Sequence, residues 1–470
     1  MVIAILGRLP ALGIAECERV FGAQAVDWFS DQTARIAVDT LDVEGFGGIV
    51  KAGRVVAEFP HGDWYDVSKK LIHSYETAWH GHKQKITLGI SAYGFQRLTG
   101  RDVQKTGLML KSHLRHAPGS LRLVPNDTEA LSSATSHHNK LGLSDNKVEL
   151  LIVRDPSSGR VVIAESLGAQ NITALAARDQ GRPKRDAFVG MLPPKLALQM
   201  VNLAGGAHPS ALLQNEFKAS ASPSKAHTQV RSELTLESAA TRVTMNGAAP
   251  AFAKISDFSK EGANSSAGPV SSDLRAGFAE TKPNDGSGDK ITLLDPFCGT
   301  GVLLQEAMLR RYRAYGTDLS EKMIRYTRDN LNWLQDKYSL HGDWLLHEGD
   351  AMTTTWQQPI DAVACETYLG QPFSAPPSPA KLREVRGNCN HIISEFLKNI
   401  GTQLKPGTPL CLAVPAWRDT AGHFTHLPLI TKLNALGYQP IVLKNTTPNQ
   451  LLYYRENQVV ARELLLLTKK

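Results

Sequence analysis

The stretch from Ile291 to Val302, Ile-Thr-Leu-Leu-Asp-Pro-Phe-Cys-Gly-Thr-Gly-Val, limits the possible folds more than any other part of the chain. Four residues of β-type character end in Asp295. A turn bracketed by Gly299 and Gly301 follows, and Val302 to Arg311 then carries a helical pattern. A strand, a tight turn and a helix N-terminus form the cradle that α/β sheets offer to nucleotide-like ligands. Glycine matters in the turn because a Cβ would hold the ligand away from the backbone. The three-glycine dinucleotide fingerprint is missing, and so is the Gly-Lys-Ser/Thr of a phosphate loop. The competing reading is an ordinary strand-to-helix turn.

The alternation of strand and helix continues downstream. Arg313 to Asp318 is predicted as a second strand, Trp344 to Asp350 as a third, Ile360 to Glu366 as a fourth and Leu410 to Pro415 as a fifth. Phe424 to Leu436 is predicted as a helix closed by Gly437. End strands follow at Pro440–Lys444, Leu451–Arg455 and Val459–Leu467. Such alternation gives an α/β layer fold whose ligands sit at the carboxyl ends of the strands. Asp295, Asp318, Asp350 and Glu366 all fall at such ends, which predicts one shared site. An acid ~20 residues beyond the glycine turn accepts hydrogen bonds from ribose hydroxyls in folds of this kind. Asp318 stands there, although an acid also suits the start of the next helix.

A chain of 470 residues is too long for one core and is divided here at composition shifts. Residues 1–60 form a small α+β unit, with a helix from Ala11 to Phe21 opened by Pro10 and stopped by Gly22. Residues 61–165 form a second unit with helices at Asp66–His80 and Asp102–His116, and a hairpin across the Pro156–Gly159 turn. The second of those helices carries Lys105, Lys111, His113, Arg115 and His116. Those charges suit a phosphate backbone, or equally a solvated helix face. Residues 166–206 are a basic linker and a helix that starts at Pro193-Pro194. Arg178, Arg182, Lys184 and Arg185 crowd together in the linker, in a segment expected to be extended and able to make bidentate phosphate contacts. Residues 207–290 are rich in Ala and Ser and lack Tyr, Trp and Cys, so a mostly disordered insertion is expected, with short helical pieces such as Ala211–Ala219. A lid or docking loop is the alternative for them. The last unit is 291–470.

The balance of 52 Lys+Arg against 45 Asp+Glu, a net charge of +7, suits a polyanionic partner without requiring one. Five cysteines occur without Cys-x-x-Cys spacing, so neither a zinc site nor a disulfide framework is expected. The N-terminus has no signal-peptide pattern and no apolar run approaches the ~20 residues of a membrane helix, so a cytoplasmic enzyme with no membrane or metal partner is expected.

The motif Asp295-Pro-Phe-Cys-Gly-Thr-Gly301 resembles the first motif of class I S-adenosylmethionine (SAM) methyltransferases that modify nucleic acid. Two further blocks narrow the resemblance to the THUMP-domain tRNA guanosine-10 N2-methyltransferase family. They are Leu6 to Glu16, and Arg178 to Asp186 continuing through Met191-Leu-Pro-Pro-Lys-Leu-Ala197 to Ala204. The end strands around Leu451–Arg455 and Val460–Leu464 agree, so the match spans nearly everything except 207–290. The resemblance implies a Rossmann-like SAM domain preceded by ferredoxin-like and THUMP domains, with tRNA or another structured RNA as partner. It implies that Asp295, Phe297, Gly299, Gly301, Asp318, Asp350 and Ala351 bind the cofactor, with Asp350 reading the adenine amine. It also implies that Lys111, Arg115, Arg178, Arg182, Lys184 and Arg185 bind RNA.

One departure stands out. Where the family has Asp-Pro-Pro-Tyr after the fourth strand, this chain has Glu366-Thr-Tyr-Leu369. The resemblance makes Glu366 the acceptor for the base's exocyclic amine and gives Tyr368, or else Phe373, the stacking role. The longer Glu arm shifts the oxygen, and ~1 Å matters for methyl alignment. A different RNA or DNA target, and a non-catalytic RNA-binding protein, remain the rival readings. Pyrimidine C5 chemistry needs a cysteine nucleophile by this loop, and Cys365 and Cys389 are poorly placed for it.

Overall fold

The computed structural model describes residues 1–186, 192–206, 291–340 and 342–470. The expected disordered insertion at 207–290, with its helical piece at Ala211–Ala219, lies outside the described residues.

The second half is built on strands β9 (Thr292–Asp295), β10 (Arg313–Asp318), β11 (Trp344–Glu348), β12 (Ala362–Glu366), β13 (Pro409–Arg418), β14 (Phe424–Thr425), β15 (Tyr438–Pro440), β16 (Leu452–Tyr453) and β17 (Val460–Lys469). Their order is β11-β10-β9-β12-β13-β17-β15, with β14 on β13 and β16 on β17. The pairs among the first five strands are parallel, and β17 runs antiparallel to both β13 and β15. The chain winds outward from β9 to β11 and then returns to place β12 on the other side of β9. That reversal opens a crevice at the carboxyl ends of β9 and β12, where such sheets bind ligands. This is the class I Rossmann-like arrangement expected from the sequence.

Both sheet faces are covered, which explains why these strands read as continuous apolar runs. Successive residues point to opposite sides. Leu294, Val363, Cys365 and Leu412 join a core with Ile393, Phe396 and Leu397, which come from a helix at Pro379–Gly401. Leu293, Ala362, Ala364 and Ala413 meet a core formed by the helices Pro194–Gly205 (α6) and Val302–Leu309 (α7). Small alanines on that side leave room for α6. Helix α8, Glu321–Tyr338, packs Ile324, Leu331 and Leu334 against the glycine turn and α7.

The predicted helix at Phe424–Leu436 is absent. Thr425 and Phe424 pair with Trp417 and Arg418, and only a short 3-10 turn, Pro428–Lys432, follows. Pro428 lacks an N–H and pushes Leu427 out of the helical region, to φ -72 and ψ 138, so the pattern cannot propagate as a helix. The end strands at 440 and 451 are also shorter than expected.

The first half forms one sheet of eight strands, β1 (Val2–Leu6), β2 (Val26–Ser30), β3 (Thr33–Ile36), β4 (Ile49–Phe59), β5 (Ile86–Tyr93), β6 (Leu121–Leu123), β7 (Lys147–Arg154) and β8 (Val161–Ala169), in the order β2-β3-β1-β4-β8-β7-β5-β6. The expected boundary near residue 60 falls between β4 and β5 of this one sheet. The 11-residue strand β4 (Ile49–Phe59) pairs with β1 (Val2–Leu6) on one edge and with β8 (Val161–Ala169) on the other. Helix α1 (Pro10–Phe21) covers one part, and α2 (Trp64–Trp79) with α3 (Gly100–His113) covers the rest. Thr99 and Asp102 form a reciprocal capping box at the start of α3, which fixes where that helix begins.

Candidate functional site

The glycine turn after β9 is held from three sides. The Cys298 N–H donates to the Thr317 carbonyl at 2.9 Å, Thr327 Oγ1 donates to the Gly299 carbonyl at 2.8 Å, and Asn330 Nδ2 donates to the Thr300 carbonyl at 2.8 Å. Gly299 and Gly301 have φ of 52° and 80°, which side-chain-bearing residues rarely adopt. A Cβ on Gly301 would lie 2.7 Å from Thr327 Cγ2. Helix α7 starts at this turn with no side-chain cap, so its first N–H groups face the crevice.

Two expected acids, Asp295 and Asp318, hold the turn, and a third, Asp350, follows Gly349, whose N–H donates to the Asp318 carbonyl at 3.0 Å. Asp295 is 2% exposed and accepts from the Phe297 N–H at 3.1 Å. Burial pushes its carboxyl well above the usual range, and the negative charges of Asp318 and Glu366 push it further. These carboxylates therefore sense one another across the carboxyl ends of β9, β10 and β12. Asp318 accepts from the Gly299 N–H and the Ser320 N–H, both at 2.9 Å, and burial raises its pKa as well. Asp350 lies beyond β11, where the Met352 N–H donates to its Oδ1 at 2.9 Å, and Ala351 is buried beside it. Phe297 is half-buried and meets the Phe396 ring edge-on at 5.2 Å. The carboxyl oxygens gathered here offer several acceptors, which suits a ligand rich in hydroxyl and amine donors.

Glu366 ends β12 with its side chain 15% exposed and forms an ion pair with Arg462 of β17. Burial raises the Glu366 pKa while the Arg462 guanidinium pulls it back. The pair occupies one carboxylate oxygen. Thr367 is pinned, because both its N–H and its Oγ1 donate to the Ala413 carbonyl at 3.0 Å. Tyr368 is 46% exposed, whereas Phe373 packs partly into the core. Of the two rings that the sequence offered for stacking, Tyr368 is the open one.

The basic linker is less uniform than its composition suggested. Arg178 stands in the last turn of helix α5 (Ile172–Gln180), not in an extended segment, because Asn171 caps that helix by accepting from the Ala174 N–H at 2.9 Å. Its guanidinium grips the buried Glu306 carboxylate at 2.7 and 3.3 Å. Arg182 is 3% exposed, and its three guanidinium nitrogens have no hydrogen-bond partner among the described residues. The backbone of Lys184 exchanges two hydrogen bonds with the Asn330 side chain, at 2.9 and 3.0 Å, while its Nζ lies 3.7 Å from Asp329. Arg185 is exposed, as are Lys111 on α3 and Arg115 just beyond it. The structure therefore separates Arg178 and Arg182, turned inward, from the accessible cations.

Sequence reasoning missed Arg462, Asn330 and Glu306. Arg462 had a signal: with Glu463 it makes a charged pair inside a strand whose other residues are apolar, Val460-Ala-Arg-Glu-Leu-Leu-Leu-Leu467. Asn330 and Glu306 sit in helices with ordinary polar residues and had none. Among the described residues no helix is long and apolar enough to cross a membrane, and no group of three or more His, Cys, Asp or Glu is placed to hold a metal ion.

No family model matches the chain. Among curated proteins it is similar to a tRNA (guanine(10)-N2)-dimethyltransferase of Methanothermobacter thermautotrophicus, 32% identical over 133 residues, which is 28% of this chain and 35% of the relative. The alignment thus spans about a third of that relative's length. Among solved structures, TrmN from Thermus thermophilus aligns over 100% of this chain and 99% of its own, at 13% identity and a TM-score of 0.44. An rRNA methylase from Streptococcus thermophilus covers 38% of this chain and 88% of its own, at 15% identity and a TM-score of 0.26. At such TM-scores these likenesses carry no argument, and the fold rests on the strand order above.

Proposed function

We propose that this protein is a SAM-dependent RNA methyltransferase that acts on guanine N2 in tRNA, working in the cytoplasm. The observation that carries the reading is the glycine turn at the strand-order reversal, with Asp295 and Asp318 at it, Glu366 within electrostatic reach of Asp295, and Asp350 at the end of the neighbouring strand. These groups fit SAM: Asp318 takes the ribose hydroxyls, Asp350 with Ala351 takes the adenine edge, Asp295 faces the amino-acid end, and Phe297, Gly299 and Gly301 shape the floor. The aligned curated relative, named for guanine N2 dimethylation of tRNA, supports the same substrate.

When bound, SAM supplies an electrophilic methyl group on sulfur. Glu366 accepts a hydrogen bond from the exocyclic amine through the oxygen that Arg462 leaves free, and Tyr368 stacks on the base. That orients the nitrogen lone pair toward the methyl, so the rate gain is largely positional. The nitrogen sheds one proton as it gains the methyl, and the Glu366 oxygen that Arg462 leaves free accepts it. The N-terminal sheet, read as ferredoxin-like and THUMP parts, holds the RNA with Lys111 and Arg115, while Lys184 and Arg185 contact the backbone nearer the site.

The test is transfer of labelled methyl from SAM to bulk tRNA from cells lacking the corresponding enzyme, followed by nucleoside mass analysis. N2-methylguanosine or its dimethyl form supports the reading. Another methylated nucleoside means the Glu366–Leu369 loop has changed the target. SAM binding without transfer to any RNA points to a binding protein on this fold.

A further inference from the structure

Strand β13 continues past the level of the site. Glu366 of β12 is level with Ala413, yet β13 runs on to Arg418, ~17 Å further at ~3.4 Å per residue. It is joined there by β14 and by the chain after β16, so a ribbon stands up from the carboxyl end of the sheet beside the acid loop. Aromatic rings and guanidinium groups alternate along it. Tyr453 is paired with Arg462, the partner of Glu366. Arg8, from the N-terminal sheet side, lies over the Tyr453 ring at 5.9 Å and donates to the Tyr454 carbonyl at 2.6 Å. Phe424 and Tyr454 meet at 5.2 Å with a 59° tilt, and Arg418 lies over the Tyr454 ring at 5.4 Å while donating to the Glu456 carbonyl at 2.9 Å. The three rings are half-buried, and Arg8 and Arg455 are exposed. Two acids share these loops, Asp419 and Glu456, and Asp419 accepts from the His423 N–H at 2.8 Å.

Resting on the methyltransferase reading, we propose that this ribbon is a stacking rail for the unpaired RNA strand next to the target base. Aromatic faces and guanidinium planes stack on any base, while the guanidinium charge draws the phosphates. A base turned out toward Glu366 drags its neighbours out of their helix, and those neighbours need a surface. The ribbon stands at the right end of the sheet, one strand pairing away from the Glu366–Arg462 pair. Because Arg8 is part of it, the rail also bridges the two halves of the chain.

The test uses the full chain, with tRNA affinity read by fluorescence anisotropy and S-adenosylhomocysteine affinity by calorimetry. Tyr454→Ala is expected to weaken tRNA binding about tenfold, the loss of one stacked base, and leave the nucleoside ligand within about twofold. Tyr454→Phe keeps the ring and is expected to match wild type. Arg455→Ala, an exposed change, is expected to lower the salt dependence of tRNA binding by about one phosphate contact. Variants that bind and methylate tRNA like wild type overturn the rail while the methyltransferase reading stands. Parallel loss of both ligands in Tyr454→Ala also overturns it, because that marks general damage. A wild-type protein that binds the nucleoside ligand but no RNA overturns both the rail and the RNA substrate.

Discussion

Glu366 is a buried carboxyl that stays useful only while it is ionised; burial raises its pKa and the Arg462 guanidinium opposes that rise. The sign of the pH effect follows. The Glu366 oxygen that Arg462 leaves free is certain to accept from an amine only when the group is deprotonated, so activity falls as pH drops through its folded pKa. Removing Arg462 leaves burial unopposed and raises that pKa. Arg462→Met should therefore move the acid limb of the kcat/KM profile to higher pH and lower kcat, with S-adenosylhomocysteine affinity unchanged. An unmoved limb means that another group titrates. Asp318 has the complementary role. It already staples the Gly299 and Ser320 N–H groups, so Asp318→Ala removes both a ligand contact and the turn's own support. Hydrogen bonds to a charged group are worth ~1.5–3 kcal/mol each, which predicts at least a tenfold loss of nucleoside affinity by calorimetry. Affinity for tRNA should hardly change.

The linker and the helices it lies on show how far sequence position misleads about role. Arg178 and Arg185 lie in one basic run, but α5 and α7 bind the first of them into the interior. Arg178→Ala strands the Glu306 carboxylate, which is 1% exposed, and breaking such a pair costs ~3–5 kcal/mol. A clear drop in melting temperature is expected, with Glu306→Gln restoring part of it in the double variant. Arg185→Ala should leave melting unchanged and weaken only RNA binding. The strands around the site were legible because β9, β10 and β12 are largely buried and each ends in an acid, Asp295, Asp318 or Glu366. The meeting of Asp295, Asp318 and Glu366 was expected from their places at strand ends, whereas the strand order that brings them together comes from the structure. What was not legible depends on distant partners. Arg178 and Glu306 are 128 residues apart, and nothing local announces the pair. The helix expected at Phe424–Leu436 failed for a local reason that was available in the sequence: Pro428 sits inside it.

Across the whole molecule, α1 joins the two sheets through buried polar groups. The Gly47 and Gly48 N–H groups donate to Glu16 at 2.9 and 2.7 Å, and Asn202 Nδ2 of α6 donates to it at 2.6 Å. Glu18 accepts from the Asn445 N–H at 3.0 Å, and Arg19 Nε donates to the Leu203 carbonyl at 2.9 Å. A Cβ on Gly47 would run into the Lys195 carbonyl, so the approach is as close as backbones allow. These contacts set the span between an RNA-holding sheet and a reacting base. They also carry a pH dependence. Burial lifts the Glu16 carboxyl from 4.5 to about 7, against the pull of its three donors and of Arg310. A folded pKa above the unfolded value means that the folded state holds the proton more tightly. Its stabilising contribution is full below about 4.5 and is lost as pH rises through about 7. At ~1.36 kcal/mol per unit the range is roughly 3 kcal/mol. Wild-type melting temperature should therefore fall between pH 5.5 and 8 more steeply than that of Glu16→Gln, which cannot ionise. Equal slopes would mean that Glu16 keeps one protonation state across this range, and that the joint between the sheets does not respond to pH through it.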